Sequence, residues 1–155
     1  MSAHHADLSL GTVLLAEDEP NDALLIQRAF RKAGVANATQ VVADGDGAIA
    51  YLAGTGPYAD RDRYPLPALL LLDLKMPRMS GFDVLAWLRA QPGLRRLPVV
   101  VLTSSRESTD INRAHELGAN SYLVKPVAFE SLLEIVRTLS RYWLVLSEKP
   151  DLRTG

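Results

Sequence analysis

The 155-residue chain has no cysteine. Disulfide bonds, thiolate zinc sites and thiol nucleophiles are therefore excluded, and the composition is typical of a cytoplasmic protein. No apolar run reaches the roughly 20 residues that a membrane-spanning helix needs, so we expect no membrane partner. The formal net charge is only -1. So small a charge gives no electrostatic reason to expect a nucleic acid as a partner.

The size and composition of the chain are those of one globular domain. Its length and its hydrophobic content of 48% predict a single full core. A second domain is not expected, because the chain is too short for one. We expect a flexible N-terminal tail over residues 1–9, the folded domain over 10–147 and a C-terminal tail over 148–155.

Five short apolar runs alternate with amphipathic stretches, a pattern that predicts strands separated by helices. The alternation indicates an α/β protein with a parallel sheet and helices on both faces. Right-handed crossovers favour a doubly wound, flavodoxin-like sheet of five strands with five helices and strand order 2-1-3-4-5. The predicted strands are Thr12–Ala16, Thr39–Ala43, Leu69–Leu72, Val99–Thr103 and Ser121–Val124.

Reactive side chains stand at the carboxyl ends of four predicted strands. Glu17 and Asp18 follow the first strand, and Asp73 follows a run of four leucines. Thr103 ends the fourth strand and Lys125 follows the fifth. Each of them alone has an ordinary explanation as a helix cap, a strand end or a solvated charge. Together, at strand ends that meet along one edge of the sheet, they indicate a shared site.

The predicted site combines three carboxylates, a hydroxyl and an ammonium group. Carboxylates this close have raised pKa values unless a cation joins them, and their oxygen ligands favour Mg²⁺ or Mn²⁺ over zinc. Asp73 can then attack phosphorus and form an acyl phosphate. The Lys125 ammonium and the Thr103 hydroxyl can stabilise the phosphoryl oxygens.

Four motifs around these residues resemble the receiver domain of two-component response regulators. The resemblance extends over about residues 10 to 146, which is nearly the whole chain. The motifs are Glu17–Pro20, Leu71–Gly81, Val101–Ser104 and Gly118–Pro126, which read EDEP, LLDLKMPRMSG, VLTS and GANSYLVKP.

The resemblance assigns roles to the residues of the predicted site. It implies that Asp73 is the phosphoacceptor and that Lys125 is the partner of the phosphoryl group. It also implies that Glu17, Asp18 and Asp73 bind Mg²⁺, or Mn²⁺ in its place. The backbone carbonyl of Lys75 is implied to be a further metal ligand.

Thr103 and Tyr122 are implied to form the switch pair of the receiver. On phosphorylation of Asp73, the Thr103 hydroxyl would move inward and Tyr122 would rotate from an exposed to a buried position. The helix over about residues 109 to 117 would then present a different surface. A cis peptide bond before Pro126 is implied as well.

A finer resemblance concerns Gly56–Tyr58, which lies in an insertion over residues 55–67, and the segment Tyr142–Leu144. Both look like those of regulators paired with bacterial phytochrome histidine kinases. The implied partner is a sensor histidine kinase, specifically a bacteriophytochrome, and the downstream target is unidentified. The protein is expected to be no enzyme but a phosphoacceptor with self-catalysed transfer and slow autodephosphorylation. Because only a helix and a short tail are predicted after Pro126, we expect a stand-alone regulator without a DNA-binding module.

The last helix is predicted to run to Leu146 with an unusually wide apolar stripe. Ile135, Tyr142 and Leu146 widen the stripe beyond what contact with a sheet requires. This shoulder can be a homodimer surface, or neighbouring loops can cover it. The sequence leaves both alternatives open.

Three other functions fit the pattern less well. A flavodoxin-like electron carrier needs a phosphate-binding loop after the first strand, where Glu17, Asp18 and Glu19 would repel a flavin phosphate. A phosphatase of the haloacid dehalogenase type needs a second aspartate at the position of Lys75. A degenerate receiver that acts as a phosphorylation-independent scaffold is disfavoured, because every residue needed for the chemistry is present.

Overall fold

A computed structural model describes residues 10–154, and the tail predicted over residues 1–9 lies outside this range. All five strands are parallel and form one sheet in the order β2-β1-β3-β4-β5, which confirms the predicted fold class. The strands are β1 (Thr12–Ala16), β2 (Thr39–Val42), β3 (Pro67–Leu72), β4 (Val99–Thr103) and β5 (Ser121–Val124).

Five α-helices cover the two faces of the sheet. Pro20 opens the first of them, at a position where its missing N–H costs nothing, and Gly54 ends the second in the left-handed conformation that glycine adopts freely. The first and last helices pack on one face, and the other three pack on the opposite face. They are α1 (Pro20–Lys32), α2 (Gly45–Ala53), α3 (Gly81–Arg89), α4 (Ser108–Glu116) and α5 (Phe129–Leu139).

The four leucines of the central strand β3 are fully buried. Each of the four leucines 69 to 72 has an exposed fraction of 0%. Leu70 and Leu72 belong to the core on the α2 and α3 side, whereas Leu69 and Leu71 belong to the core on the α1 and α5 side. Full burial of a leucine side chain contributes about 1.5–3 kcal/mol, so this strand holds the residue after it firmly in place.

The structure differs from the sequence prediction at the end of the last helix. The α-helix ends at Leu139, and a π-helical segment follows over Ser140–Leu146. The N–H of Ser147 donates to the carbonyl of Tyr142, five residues earlier. Because the wider turn changes the angle between successive residues, the predicted regular α-helix is wrong beyond Leu139. Trp143 still packs against the core and Leu144 is buried, whereas the exposed fraction of Leu146 is 56%.

The C-terminal segment packs against the domain at the end of the sheet opposite the strand carboxyl ends. Leu152 joins the α2 and α3 core, and the N–H of Arg153 donates to the carbonyl of Gly93 at 2.8 Å. The hydroxyl of Thr154 accepts a hydrogen bond from Arg61 of the insertion at 2.8 Å. The insertion and the C-terminal segment are therefore linked directly. Within residues 10–154, every helix is too short or too polar to span a bilayer.

Candidate functional site

The carboxylate of Asp73 lies directly after β3 and has three hydrogen-bond donors. Its Oδ1 accepts from the Thr103 hydroxyl at 2.7 Å and from the N–H of Lys75 at 3.2 Å. Its Oδ2 accepts from Lys125 Nζ at 2.8 Å. Both Asp73 and Thr103 are buried. The donors fix the orientation of the carboxylate, so its two oxygens have different surroundings.

The ammonium of Lys125 is the centre of charge in the site. Its Nζ lies 2.5 Å from Glu17 Oε1, 2.9 Å from Asp22 Oδ2 and 2.8 Å from Asp73 Oδ2. The Lys125 side chain is only 13% exposed, so water screens these pairs weakly. The site predicted from the sequence is therefore assembled as one cluster in the structure.

Asp22 is a member of this cluster that sequence reasoning missed. It lies in the first turn of α1, where acidic residues are common because they favour the helix dipole. The available signal in the sequence was its place in the first turn of the helix that directly follows Glu17 and Asp18.

The pKa values of the buried groups follow from this geometry. Burial raises the pKa of Glu17 to about 7, although hydrogen bonds from Lys125 and from the N–H of Glu19 act in the opposite direction. Burial would also raise the pKa of Asp73, but the hydrogen bonds from Lys125 and Thr103 outweigh it and lower that pKa. For Lys125, burial opposes the charged form, and hydrogen bonds to the carboxylates more than compensate and raise its pKa.

The acidic residues of the site fit a divalent cation. Glu17, Asp18 and Asp73 each offer a carboxylate oxygen, and these oxygens lie within 4.8 Å of one another. Oxygen donors without a thiolate or imidazole in the group suit hard cations such as Mg²⁺ and Mn²⁺. The backbone N–H of Lys75 donates to Asp73 Oδ1. The role of the Lys75 carbonyl as a metal ligand stays a prediction.

The predicted switch residues lie on neighbouring strands but bond to different partners. The Thr103 hydroxyl donates to Asp73, whereas the Tyr122 hydroxyl donates to the carbonyl of Ser105 at 3.0 Å. Tyr122 is only partly buried. The peptide bond before Pro126 is trans, as are all others in residues 10–154, so the predicted cis bond is wrong. The trans form is the lower-energy one for a proline bond.

The loop after β3 forms one wall of the site and is anchored on α2. Arg78 in this loop has a φ of 64° and forms ion pairs with Asp44 and Asp46 at the start of α2. A Cβ atom at Gly45 would lie 2.1 Å from the carbonyl oxygen of Met79, so only glycine allows this close approach. The wall is therefore held by specific contacts.

Comparison with known proteins identifies the family. The model of the response regulator receiver domain matches residues 13–137. The chain belongs to the receiver domain family. It is 38% identical over 138 residues to the probable methanogenesis regulatory protein FilR2 of Methanothrix harundinacea, covering 89% of this chain and 86% of that protein. It is 36% identical over 132 residues to response regulator Rcp1 of Synechocystis, covering 85% and 88%.

Solved structures of receiver proteins have the same fold. The phosphorylated cyanobacterial phytochrome response regulator RcpA matches with a TM-score of 0.84 and 36% identity over 91% of this chain and 99% of its own. The Mn²⁺-bound form of Rcp1 matches with a TM-score of 0.80 and 34% identity over 90% and 99%. The bacteriophytochrome response regulator AtBRR matches with a TM-score of 0.72 and 42% identity over 89% and 98%.

Membership of the receiver family establishes the general chemistry of the site. Receiver domains accept a phosphoryl group from a histidine kinase and bind a divalent metal in an acidic pocket. They are phosphoacceptors rather than enzymes that turn over a separate substrate. The strand ends described above form this acidic pocket in the present receiver domain.

Cation binding by this receiver domain is expected to weaken as the pH falls through neutrality. Because the pKa of Glu17 is raised to about 7, a cation must displace a proton from Glu17 at lower pH. The dissociation constant for Mg²⁺ should be about tenfold higher at about pH 6 than at about pH 8. Calorimetric titration at both pH values measures the ratio. The Glu17→Gln variant should bind more weakly and lose this dependence, and an unchanged ratio in that variant would contradict the role of Glu17.

Proposed function

We propose that this chain is a response regulator that accepts a phosphoryl group on Asp73 from a sensor histidine kinase. The observation that carries the proposal is the fixed Asp73 carboxylate, which Thr103 and Lys125 orient within a cluster of acidic oxygens. An oxygen of Asp73 attacks the phosphorus of a phosphohistidine. The new O–P bond forms as the N–P bond breaks, and the released imidazole nitrogen keeps the electron pair of that bond.

The surrounding residues neutralise the charge of the transferred group. Lys125 Nζ, already 2.8 Å from Asp73, can pair with the phosphoryl oxygens after transfer. The hydroxyl of Thr103 can move from the carboxylate to a phosphoryl oxygen. Glu17, Asp18 and Asp73 would hold Mg²⁺, which supplies positive charge beside the phosphoryl oxygens when it is bound.

We propose a bacteriophytochrome as the partner kinase, because several similar structures are regulators of phytochromes. The rim beside the site can contact a protein. Leu25 on α1 is 41% exposed and forms a depression with Lys125 and Pro126, and the next residue, Val127, is fully exposed. Apolar side chains exposed together next to a reactive group are typical of a docking surface. A cytoplasmic location and a stand-alone domain organisation stay predictions.

The switch is proposed to run from Asp73 through Thr103 to Tyr122 and α4. The Thr103→Ala variant should still accept a phosphoryl group on Asp73. It should not transmit the phosphorylation to α4, because it lacks the hydroxyl that moves toward the phosphoryl oxygens. Hydrogen exchange of α4 amides, with and without phosphorylation, measures the transmission. The control is Thr138→Ala on the exposed side of α5. A normal change of exchange in Thr103→Ala would contradict the relay.

A homodimer through the last helix is also proposed. Ile135, Tyr142 and Trp143 line an open groove of about 620 Å³ between α5, the π-helical segment and β5. Size-exclusion chromatography with light scattering, before and after phosphorylation, measures the oligomeric state. Ile135→Glu should favour the monomer, because it places a charge in an apolar contact. An unchanged elution of that variant would exclude this groove from the interface.

The direct test of the proposed function is intact-mass spectrometry after incubation with acetyl phosphate. The wild-type chain should gain one phosphoryl group in Mg²⁺ and none in the presence of a chelator. Treatment with hydroxylamine should remove the group, because an acyl phosphate reacts with this nucleophile. The absence of uptake under every condition would favour the alternative of a phosphorylation-independent scaffold.

A further inference from the structure

The loop between β3 and α3 is clamped to the first turn of α2 by Arg78. The guanidinium of Arg78 donates a hydrogen bond to Asp44 Oδ2, and its Nε lies 3.3 Å from Asp46 Oδ2. The other carboxylate oxygen of Asp44 caps α2, where it accepts from the N–H of Gly47 at 2.6 Å. The Asp44 side chain therefore fixes both the start of α2 and the loop beside the cation pocket.

Arg78 has a backbone conformation that is unfavourable for an arginine. Its φ is 64°, and all other positive φ values within residues 10–154 belong to glycines. The left-handed conformation brings the Cβ atom too close to the backbone, so it costs free energy that other contacts must offset. The two ion pairs of Arg78 contribute to this offset. Without them, we expect the loop to relax toward a negative φ at this residue.

The first residues of the same loop bond to the phosphoacceptor. The N–H of Lys75 donates to Asp73 Oδ1 at 3.2 Å, so the loop backbone limits the rotation of the Asp73 carboxylate. The loop is closed where the N–H of Gly81 donates to the carbonyl of Leu74 at 3.0 Å. Because the loop is fixed at this closure, a change of φ at Arg78 must move the residues within it, and Lys75 is one of them.

We propose that Arg78 is a positioning residue for the divalent cation. Its ion pairs with α2 hold the loop in the form in which the Lys75 N–H orients the Asp73 carboxylate. That carboxylate shares the cation pocket with those of Glu17 and Asp18. Arg78 therefore acts on the pocket through the loop backbone and not as a ligand. The proposal rests on the proposed function, because a cation in this pocket serves phosphoryl transfer to Asp73.

The direction of the change in cation affinity distinguishes this clamp from an effect of charge alone. Arg78 is a positive charge in the wall of an acidic pocket, so its removal would strengthen cation binding by charge alone. Loss of the clamp should weaken binding, because the cation must then order the loop again as it binds. Asp44→Asn separates the clamp from the helix cap, because asparagine caps a helix as well as aspartate does but carries no charge to pair with Arg78.

The first test measures the Mg²⁺ dissociation constant by calorimetric titration. Arg78→Ala should raise it about threefold to tenfold, the range expected for the loss of two exposed ion pairs. Asp44→Asn should raise it less, because Asp46 still pairs with Arg78, and should have no effect in the Arg78→Ala background. The matched control is Arg96→Ala, which removes the same charge from an exposed residue without an ion pair among the described contacts. An unchanged or lower constant for Arg78→Ala, or an effect of Asp44→Asn that persists in that background, would overturn the proposal.

The second test measures hydrogen exchange of the Lys75 amide by NMR in the presence of a chelator. Arg78→Ala should exchange about threefold to tenfold faster than the wild type, and Arg78→Lys, which keeps the positive charge, should lie between them. Arg96→Ala should exchange like the wild type. Equal exchange in Arg78→Ala and the wild type would overturn the proposal. If the wild type takes up no phosphoryl group, the proposed function fails, but both tests still decide whether the clamp exists, since neither requires phosphorylation.

Discussion

Asp73→Asn is expected to abolish phosphoryl uptake, a loss of at least about a thousandfold. An amide has no anionic oxygen to attack phosphorus, although it has nearly the same shape as the carboxylate. In the wild type, the Thr103 hydroxyl and the Lys75 N–H donate to Asp73 Oδ1. The Asn oxygen can accept the same two hydrogen bonds. The variant should therefore fold, and the loss should lie in the chemistry alone.

The matched control for Asp73→Asn is Asp22→Asn. Asp22 Oδ2 also pairs with Lys125, at 2.9 Å, but it is not one of the three residues grouped as cation ligands. Uptake by this control should remain within about threefold of the wild type. Intact-mass spectrometry after a fixed time with acetyl phosphate measures both variants. Equal loss in the two variants would show that uptake depends on the charge of the cluster and not on the Asp73 nucleophile.

Lys125→Met is expected to damage both the fold and the chemistry. In the wild type, the Lys125 ammonium compensates the negative charges of Glu17, Asp22 and Asp73. The side chains of Glu17 and Asp73 are nearly inaccessible to water. Removal of one partner from a buried ion pair typically costs about 3–5 kcal/mol, because the remaining charge is left uncompensated. Phosphoryl uptake should fall about a hundredfold, as the cation that pairs with the phosphoryl oxygens is missing.

The stability loss in Lys125→Met should depend on pH. Without the ammonium, the pKa of Asp73 rises from below its unfolded value to above it, and the already raised pKa of Glu17 rises further. A carboxyl group whose pKa is raised by folding costs stability above its unfolded pKa, and this cost disappears as the pH falls. The deficit should therefore be larger at about pH 8 than at about pH 5. Urea denaturation at both values measures it.

The control for this prediction is Lys125→Arg, which keeps the positive charge. It should recover most of the stability at about pH 8 but only part of the uptake, because the guanidinium has a different shape and cannot replace a compact ammonium at three oxygens. A Lys125→Met deficit that is equal at both pH values would contradict the electrostatic explanation. The loss would then have to come from packing.

Local patterns were sufficient to predict the strands and the main site residues. The four consecutive leucines before Asp73 predict a strand buried on both faces, as the structure has it, and a parallel sheet brings the carboxyl ends of its strands to one edge. Glu17, Thr103 and Lys125 meet Asp73 for this reason. The order and spacing of the apolar runs were therefore sufficient to predict that these residues form a site.

Features that depend on tertiary contact could not be predicted in this way. Arg61 and Thr154 meet although 93 residues separate them, and neither has a local pattern that indicates the contact. The π-helical segment breaks the α-helical period after Leu139, so an extrapolated helix could not show that Leu144 is buried while Leu146 is exposed.

The most direct test of Asp73 as the phosphoacceptor is chemical mapping of the modified residue. Borohydride reduces an acyl phosphate to an alcohol and leaves free carboxylates intact, so the phosphorylated residue is marked permanently. Peptide mass spectrometry of the reduced protein should find homoserine at position 73 and unmodified carboxylates at Glu17, Asp18 and Asp22. A reduced residue at one of those three positions, or phosphoryl uptake without any reduced residue, would contradict the assignment of Asp73.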